Sequence, residues 1–241
     1  MYSTIMINTY NETSLHNELK NRYAEKTHGK IEQKIGKYIC DIETEDGNII
    51  EIQTRNLAKL TGKIANLLQE KRKVCLVYPL VYINYIERYN DDGVCLSKRK
   101  SPKKHSMYEL FDELMGVYPI LLYKNFKLEV LLIEQVEIRQ VTAEPVQNET
   151  KTRRRLKPWI KSNKQLKSII DKKSFSKPRH YIMLLPEEIP SPFCASDLAK
   201  TEVGKYAHKM LWVLNKMELI ERVEVKSRSY YYKVKDLYTK E

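Results

Sequence analysis

The sequence feature that most constrains the fold is a turn at Asp46-Gly47 between two segments, 37–44 and 48–54, in which apolar and polar residues alternate. Such alternation is typical of β-strands with one buried face, and the turn predicts that the two strands form an antiparallel hairpin. Cys40 and Ile42 are expected on the buried face, so the polar residue between them should lie on the other.

The length of the loop decides which side chains of the hairpin meet. A two-residue loop would place Asp41 and Glu51 on opposite faces. A three-residue loop, with Gly47 in the left-handed conformation, pairs Ile42 with Ile50 and Asp41 with Glu51. Only the second register buries the isoleucines together, because a slip of one residue moves an entire apolar set to the other face. We therefore predict that two carboxylates face each other on adjacent strands.

This pair of carboxylates is the candidate centre of chemistry. Two facing carboxylates repel each other unless a proton or a cation lies between them, and oxygen ligands of this kind suit a divalent metal ion. Gln53 shares their face, as does Arg55 if the strand continues. His16, on the first predicted helix, could approach this site or be exposed. The alternative is that Asp41 and Glu51 are ordinary polar residues on an exposed face.

The residues around the pair resemble the motif of the PD-(D/E)XK nuclease superfamily. The run Lys37-Tyr38-Ile39-Cys40-Asp41-Ile42 is followed by Ile49-Ile50-Glu51-Ile52-Gln53-Thr54, by a predicted helix, and by the strand Val74-Cys75-Leu76-Val77-Tyr78-Pro79. The resemblance covers roughly residues 14–80. It implies that Asp41 and Glu51 hold Mg²⁺ or Mn²⁺, with Glu32 on the preceding strand as a further ligand and Glu18 on the first helix as the alternative to Glu32.

The departure from the superfamily motif is Gln53. It stands where the family usually has the lysine that orients and activates the attacking water. A neutral amide orients water but does not stabilise a developing hydroxide by charge. Glu-x-Gln variants occur within the superfamily, for example in nucleases resembling the competence protein CoiA, and Arg55 or Lys37 is the expected source of the missing charge.

The first part of the chain is expected to be an α/β domain. Its predicted order of elements describes a restriction-endonuclease-like mixed sheet flanked by helices. Helices are predicted at 14–25, 57–70 and 106–115, strands at 30–35, 37–44, 48–54, 74–78 and 128–133, and a hairpin at 85–96.

The last part of the chain follows a helix, helix, helix, hairpin plan that resembles a winged-helix domain. In that fold the third helix enters the major groove of DNA and the hairpin, or wing, contacts the backbone or minor groove. Residues 142–157 have the composition of a linker. The expected domains are therefore a nuclease-like domain at 1–141, a basic linker at 142–157, and an α+β winged-helix domain at 158–241.

The net charge of +12 is unevenly distributed. Residues 151–241 contain 22 basic and 10 acidic residues, whereas the preceding 150 residues are neutral overall. Such segregation favours a polyanionic partner, and double-stranded DNA is the expected one. The predicted contacts lie in a basic loop, in the linker, on the third helix and in the wing: Lys98, Arg99, Lys100, Lys103, Lys104, Arg153, Arg154, Arg155, Lys205, Tyr206, Lys209, Lys226 and Arg228.

Other classes are less compatible with the sequence. Its apolar runs are far shorter than the roughly 18 residues of a membrane span, and no secretory signal is evident. Four widely spaced cysteines indicate reduced thiols and a cytoplasmic protein. The resulting hypothesis is a DNA-binding, Mg²⁺-dependent endonuclease of restriction, defence, recombination or repair, for which a homodimer would explain double-strand cleavage. The rivals are a DNA-binding regulator or adaptor with an inactive nuclease fold and, more weakly, an RNA-binding protein.

Overall fold

The computed structural model describes residues 13–147 and 156–238, which form a large mixed β-sheet with helices on both faces. The strand order is β1-β2-β3-β4-β6-β7, and β5 pairs with the far end of β4. The strands of this sheet are β1 Lys30–Ile35, β2 Tyr38–Glu43, β3 Ile49–Ile52, β4 Val74–Tyr89, β5 Cys95–Lys100, β6 Phe126–Val146 and β7 Lys157–Phe175.

The helices divide between the two faces of the sheet. Helix α1 covers one face through a cluster that includes Leu15, Leu19 and Ile50. The opposite face packs against helices α2, α3 and α6 in a larger cluster. The helices are α1 Ser14–Thr27, α2 Thr61–Gln69, α3 Leu110–Val117, α4 Pro178–Ile182, α5 Ala195–Ala199 and α6 Ala207–Lys216. None of the described helices has the length and apolar character needed to cross a membrane.

The predicted register of the first hairpin is confirmed next to the loop, whereas the predicted pairing of Asp41 with Glu51 lies beyond the residues that pair. Ile42 pairs with Ile50, and Gly47 adopts a φ of +70° in the three-residue loop. Cys40, however, packs on the α2 face of the sheet while Ile42 packs on the α1 face, so the alternation is broken at Asp41. Glu32, at the level of Asp41 on β1, has a φ of +54°, which is uncommon for a residue other than glycine and marks this local irregularity.

Strands β3, β4 and β6 run parallel at the centre of the sheet. Parallel neighbours need a crossover connection, and α2 and α3 provide the two crossovers here. Strand β3 also pairs with β2, so the hairpin that carries Asp41 and Glu51 adjoins this parallel core. The α2 crossover then lies over the strand that carries Glu51.

Residues 158–175, expected in the second domain, form most of β7, which pairs with β6 from Leu128↔Phe175 to Val141↔Trp159. The expected boundary at 142–157 therefore separates two paired strands, β6 and β7, of the large sheet, which ends at Phe175. The reason is the composition of an edge strand: β7 exposes many lysines, which protect such an edge from pairing with another chain, and this composition is the same as that of a basic linker.

The last part of the chain has the predicted three short helices and a hairpin, formed by β8 Ile220–Lys226 and β9 Ser229–Val234. It shares one hydrophobic cluster with the large sheet. The rings of Tyr118 and Trp212 meet edge to face with their centroids 5.2 Å apart. The C-terminal helices are thus packed onto the sheet rather than connected to it only through the chain.

Two helical glycines give a matched test of packing around α2. A Cβ on Gly116 would lie 2.5 Å from the Cβ of Ala58, in the turn that leads into α2, whereas a Cβ on Gly62 would meet nothing within 4 Å. We expect Gly116→Ala to lower the free energy of unfolding by about 2 kcal/mol through overpacking. Gly62→Ala should leave it unchanged or raise it by less than about 1 kcal/mol. Urea unfolding measures both, and equal stability of the two variants would contradict the close approach.

Candidate active site

Asp41 lies at the point where β2 meets β3. Its Oδ2 accepts a hydrogen bond of 2.7 Å from the backbone N–H of Ile52, and His16 Nε2 lies 3.5 Å from the same oxygen. Burial alone would raise the pKa of the Asp41 carboxyl. The hydrogen bonds from His16 and Ile52, together with the positive charge of Lys63, outweigh burial and hold the pKa below its usual value. Asp41 is therefore a stable carboxylate.

Glu51 is the most deeply buried acidic group of this site, with a relative exposure of 2%. Its Oε1 lies 2.7 Å from Lys63 Nζ. Burial, followed by the negative charge of Asp41, raises the pKa of Glu51, and the Lys63 ammonium only partly opposes this effect. The thiol of Cys40 also contacts Glu51, and burial together with this carboxylate raises the pKa of the thiol to about 12. Cys40 is accordingly a hydrogen-bond donor here.

Lys63 was missed by the sequence analysis. It lies on α2, where its ammonium donates a 2.6 Å hydrogen bond to the carbonyl of Ile39 in addition to its ion pair with Glu51. The signal was its position next to Ile64, on the border of the apolar face of an amphipathic helix. A lysine at such a border extends its ammonium over the neighbouring strands while its stem covers apolar surface.

His16 approaches the site. The sequence had left open whether this side chain lies near the two carboxylates or is exposed to solvent. Its Nε2 lies 2.8 Å from the carbonyl oxygen of Ile52, and its side chain is mostly buried. Helix α1 therefore contributes a side chain to the same corner of the sheet as Asp41.

The other residues predicted for this site are placed differently. Glu32 forms a 2.8 Å ion pair with Lys20 on α1, and its side chain is 62% exposed. Gln53 donates its amide N–H to the carbonyl of Arg55 at 2.7 Å. The ammonium of Lys37 lies 5.3 Å from the ring centre of Tyr38. The residues brought together are thus Asp41, Glu51, Lys63, Cys40 and His16.

Two carboxylates, Asp41 and Glu51, could hold a metal ion. No group of three or more candidate ligands is present among the described residues. Mg²⁺ nevertheless keeps several waters and is often bound through one or two carboxylates together with substrate phosphates. The two carboxyl groups are also close enough for the charge of Asp41 to raise the pKa of Glu51, so a divalent cation at this position would relieve their repulsion. Two carboxylates of the type that holds Mg²⁺ are therefore present, and the ammonium of Lys63 already lies on one of them, Glu51.

A cluster of cations lies beside this site. Lys161 Nζ on β7 is 2.6 Å from the buried carboxylate of Glu137. Burial, then the positive charges of Lys161 and Arg55, lowers the pKa of Lys164. Arg55 follows Gln53 by two residues at the end of β3, so the cluster extends from the strand that carries Glu51 to the edge of the sheet. Glu137 offsets one of these positive charges, and the remaining excess favours a bound anion.

One family model matches the part of the chain that forms the large sheet. The model of a domain of unknown function, DUF8091, matches residues 13–176. The chain belongs to the DUF8091 family. Residues 13–176, called the DUF8091 unit below, include all seven strands of the large sheet and the candidate site.

One relative extends beyond the DUF8091 unit. A protein of Treponema pallidum (strain Nichols), described as uncharacterized, is 30% identical over 208 residues, which cover 85% of this chain and 79% of the relative. No solved structure matches the chain. The family and this relative therefore establish kinship but assign no activity.

The basic segment predicted as a phosphate-binding loop belongs to the DUF8091 unit. Its first three residues, Lys98 to Lys100, lie on the exposed strand β5 rather than in a loop. Lys98 Nζ is 3.1 Å from Glu87, and Lys103 Nζ is 3.4 Å from Glu109. Arg99, Lys100 and Lys104 are exposed.

The basic residues predicted on the third helix lie where that region meets the DUF8091 unit. Tyr206 is buried, and the ammonium of Lys205 lies 5.0 Å from the centre of its ring. Lys209 forms an ion pair with Asp112 on α3. The predicted wing residues lie at the turn of the β8–β9 hairpin, where Lys226 pairs with Glu224 at 2.8 Å and Arg228 is exposed. Arg153, Arg154 and Arg155 lie outside the described residues.

The positive charge is largely associated with the DUF8091 unit rather than with the C-terminal helices. Strand β7 contains six lysines and one aspartate, hence a charge of +5. Residues 176–241 contain 12 basic and 9 acidic residues, hence only +3. The sequence argument from charge therefore applies first to β7, which borders the candidate site.

Proposed function

We propose that this protein is a DNA-binding, metal-dependent nuclease that hydrolyses phosphodiester bonds at Asp41 and Glu51. The observation that carries the proposal is the convergence of these two carboxylates with Lys63 at one corner of the sheet. Their pKa values are shifted in opposite directions, which is a frequent property of acid–base and metal sites. The cationic cluster of Arg55, Lys161 and Lys164 beside them suits a phosphate backbone.

The two carboxylates would hold Mg²⁺ or Mn²⁺. When bound, such an ion polarises phosphoryl oxygens and lowers the pKa of a coordinated water. Asp41 offers a carboxylate that stays ionised at neutral pH, and its position is held by the N–H of Ile52 and by His16. Lys63 supplies the positive charge that the neutral amide of Gln53 lacks.

The finer fold assignment supports the same function. A central mixed sheet with the acidic hairpin followed by a crossover helix is compatible with a restriction-endonuclease-like domain. The three helices and the β8–β9 hairpin are compatible with a winged helix. In this arrangement Arg228 at the hairpin and the lysines of β7 would contact the DNA backbone.

The test is cleavage of supercoiled, linear and single-stranded DNA with Mg²⁺ or Mn²⁺. We expect Glu51→Gln to lower the rate by about 100-fold or more, because the amide loses the charge that binds the ion while it keeps the shape of the side chain. Glu25→Gln is the matched control, since Glu25 is exposed on α1. Glu18, the alternative ligand, is less suitable although it pairs with Arg22. Equal activity of the Glu51 variant and the control would exclude this site.

A DNA-binding regulator or adaptor without activity is the second candidate. Two observations favour it. The ammonium of Lys63 already lies on Glu51, and Glu32 pairs with Lys20 instead of completing a set of three carboxylates. Tight DNA binding by a folded protein that cuts no substrate with either metal would select this function.

A further inference from the structure

A cleft rich in lysine lies at the start of the central strands, away from the candidate active site. Its walls include the first residues of β3, β4 and β6, namely Ile49, Val74 and Phe126, whereas Gln53 follows the far end of β3. Its volume is about 620 Å³, within the range of small-molecule pockets. Five lysines line it: Lys26, Lys73, Lys124, Lys127 and Lys172.

A buried carboxylate organises one side of this lysine cleft. Glu129 is 1% exposed and accepts a hydrogen bond from the hydroxyl of Tyr23. Lys172 Nζ lies 2.7 Å from its Oε1, and Lys127 Nζ lies 3.0 Å from its Oε2. These contacts hold two of the five ammonium groups in place without neutralising both.

The other three lysines have no acidic partner in the part of the chain that the structure describes. Lys26, Lys73 and Lys124 form no ion pair with any of the described residues and are exposed around the opening. With Glu129 as the single acidic group in its lining, the lysine cleft has a net charge of +4. Lysines recognise phosphate as point charges and need no glycine-rich loop.

We propose that the lysine cleft binds a small phosphorylated molecule of nucleotide size. The phosphate groups would lie among Lys73, Lys124 and Lys127, and the largely apolar walls would take a planar or aliphatic group. A concave, mostly apolar pocket of this volume suits a compact ligand better than an extended nucleic-acid backbone. The inference does not rest on the proposed nuclease activity, because the site uses none of the same residues.

The test is isothermal titration calorimetry in the presence of EDTA with ATP, AMP, tripolyphosphate and adenosine. We expect one ATP per chain, weaker binding of AMP, and none of adenosine, because the phosphate charge provides the attraction. The variant with both Lys73→Ala and Lys124→Ala should bind ATP about tenfold more weakly or worse. Retained binding of tripolyphosphate in the native protein would assign the recognition to the phosphates.

The matched control combines Lys173→Ala with Lys177→Ala. It removes the same net charge, but neither residue lines the cleft, and Lys173 pairs with Asp171 instead. Equal weakening in the control would overturn the site, as would the absence of any binding of ATP and tripolyphosphate. A 5′-phosphorylated oligonucleotide that competes with ATP, and depends equally on Lys73 and Lys124, would overturn the small-ligand proposal in favour of a DNA-end site.

Discussion

Replacing Lys63 with alanine is expected to lower the free energy of unfolding by about 3 kcal/mol at pH 8 and by much less at pH 5. Lys63 is the cation beside the buried carboxyl of Glu51, whose pKa is already raised by burial and by Asp41. Without the ammonium this pKa rises further. Below the unfolded pKa the carboxyl is protonated in both states, whereas at higher pH the folded protein must hold an unpaired charge or a proton.

Urea unfolding of the native protein and of Lys63→Ala at the two pH values measures this effect. Lys59→Ala is the control, because Lys59 is exposed in the turn that leads into α2 and lies outside the ion pair. The double variant Lys63→Met with Glu51→Gln should recover most of the loss, since both charges are then absent. An equal loss at pH 5 and pH 8 would indicate that Lys63 acts through packing.

Glu129→Gln is expected to lower the free energy of unfolding by about 2 kcal/mol at pH 7, and this loss should also shrink as the pH falls. Burial would raise the pKa of Glu129, but hydrogen bonds from Lys172, Tyr23 and Lys127 outweigh it and lower the pKa. A carboxyl with a lowered pKa stabilises the fold above its unfolded pKa, and this contribution is lost as the pH falls through the folded pKa.

The same urea measurements between pH 3 and pH 7 follow the Glu129 effect. The native protein should lose its advantage over Glu129→Gln as the pH falls, whereas Glu18→Gln should track the native protein within about 0.5 kcal/mol, as expected for an exposed pair. A Glu129 variant whose deficit stays constant with pH would place the effect in the shape of the side chain. Both losses are therefore larger at higher pH, although the pKa shifts of Glu51 and Glu129 have opposite directions.

The first hairpin was predictable because its register depends on local information. The loop length and the isoleucine pattern select one pairing, and the facing of Ile42 and Ile50 follows from it. The position of β7 was not predictable in the same way. Its partners on β6 lie up to several tens of residues away in the sequence. Its exposed lysines have the composition of a linker, and only its place at the edge of the sheet identifies it as a strand.

The candidate site was predictable only in part, for a related reason. Asp41 and Glu51 follow from the hairpin, whereas Lys63 comes from a crossover helix whose placement over β3 depends on the whole sheet. Glu32 shows the reverse case. Its strand was predicted correctly, but its carboxylate forms an ion pair with Lys20 on α1 instead of lying at the site.

The contact of α6 with α3 has a geometric consequence for any DNA that the chain holds. Two contacts join α6 to the large sheet: the ion pair of Lys209 with Asp112 and the ring contact of Trp212 with Tyr118. The β8–β9 hairpin that follows α6 is therefore held in a fixed position relative to the sheet. If the protein bound DNA at this hairpin and cut it beside Asp41, the distance between the bound segment and the cleaved bond would be fixed by the fold. The products would then end a constant number of base pairs from the bound segment.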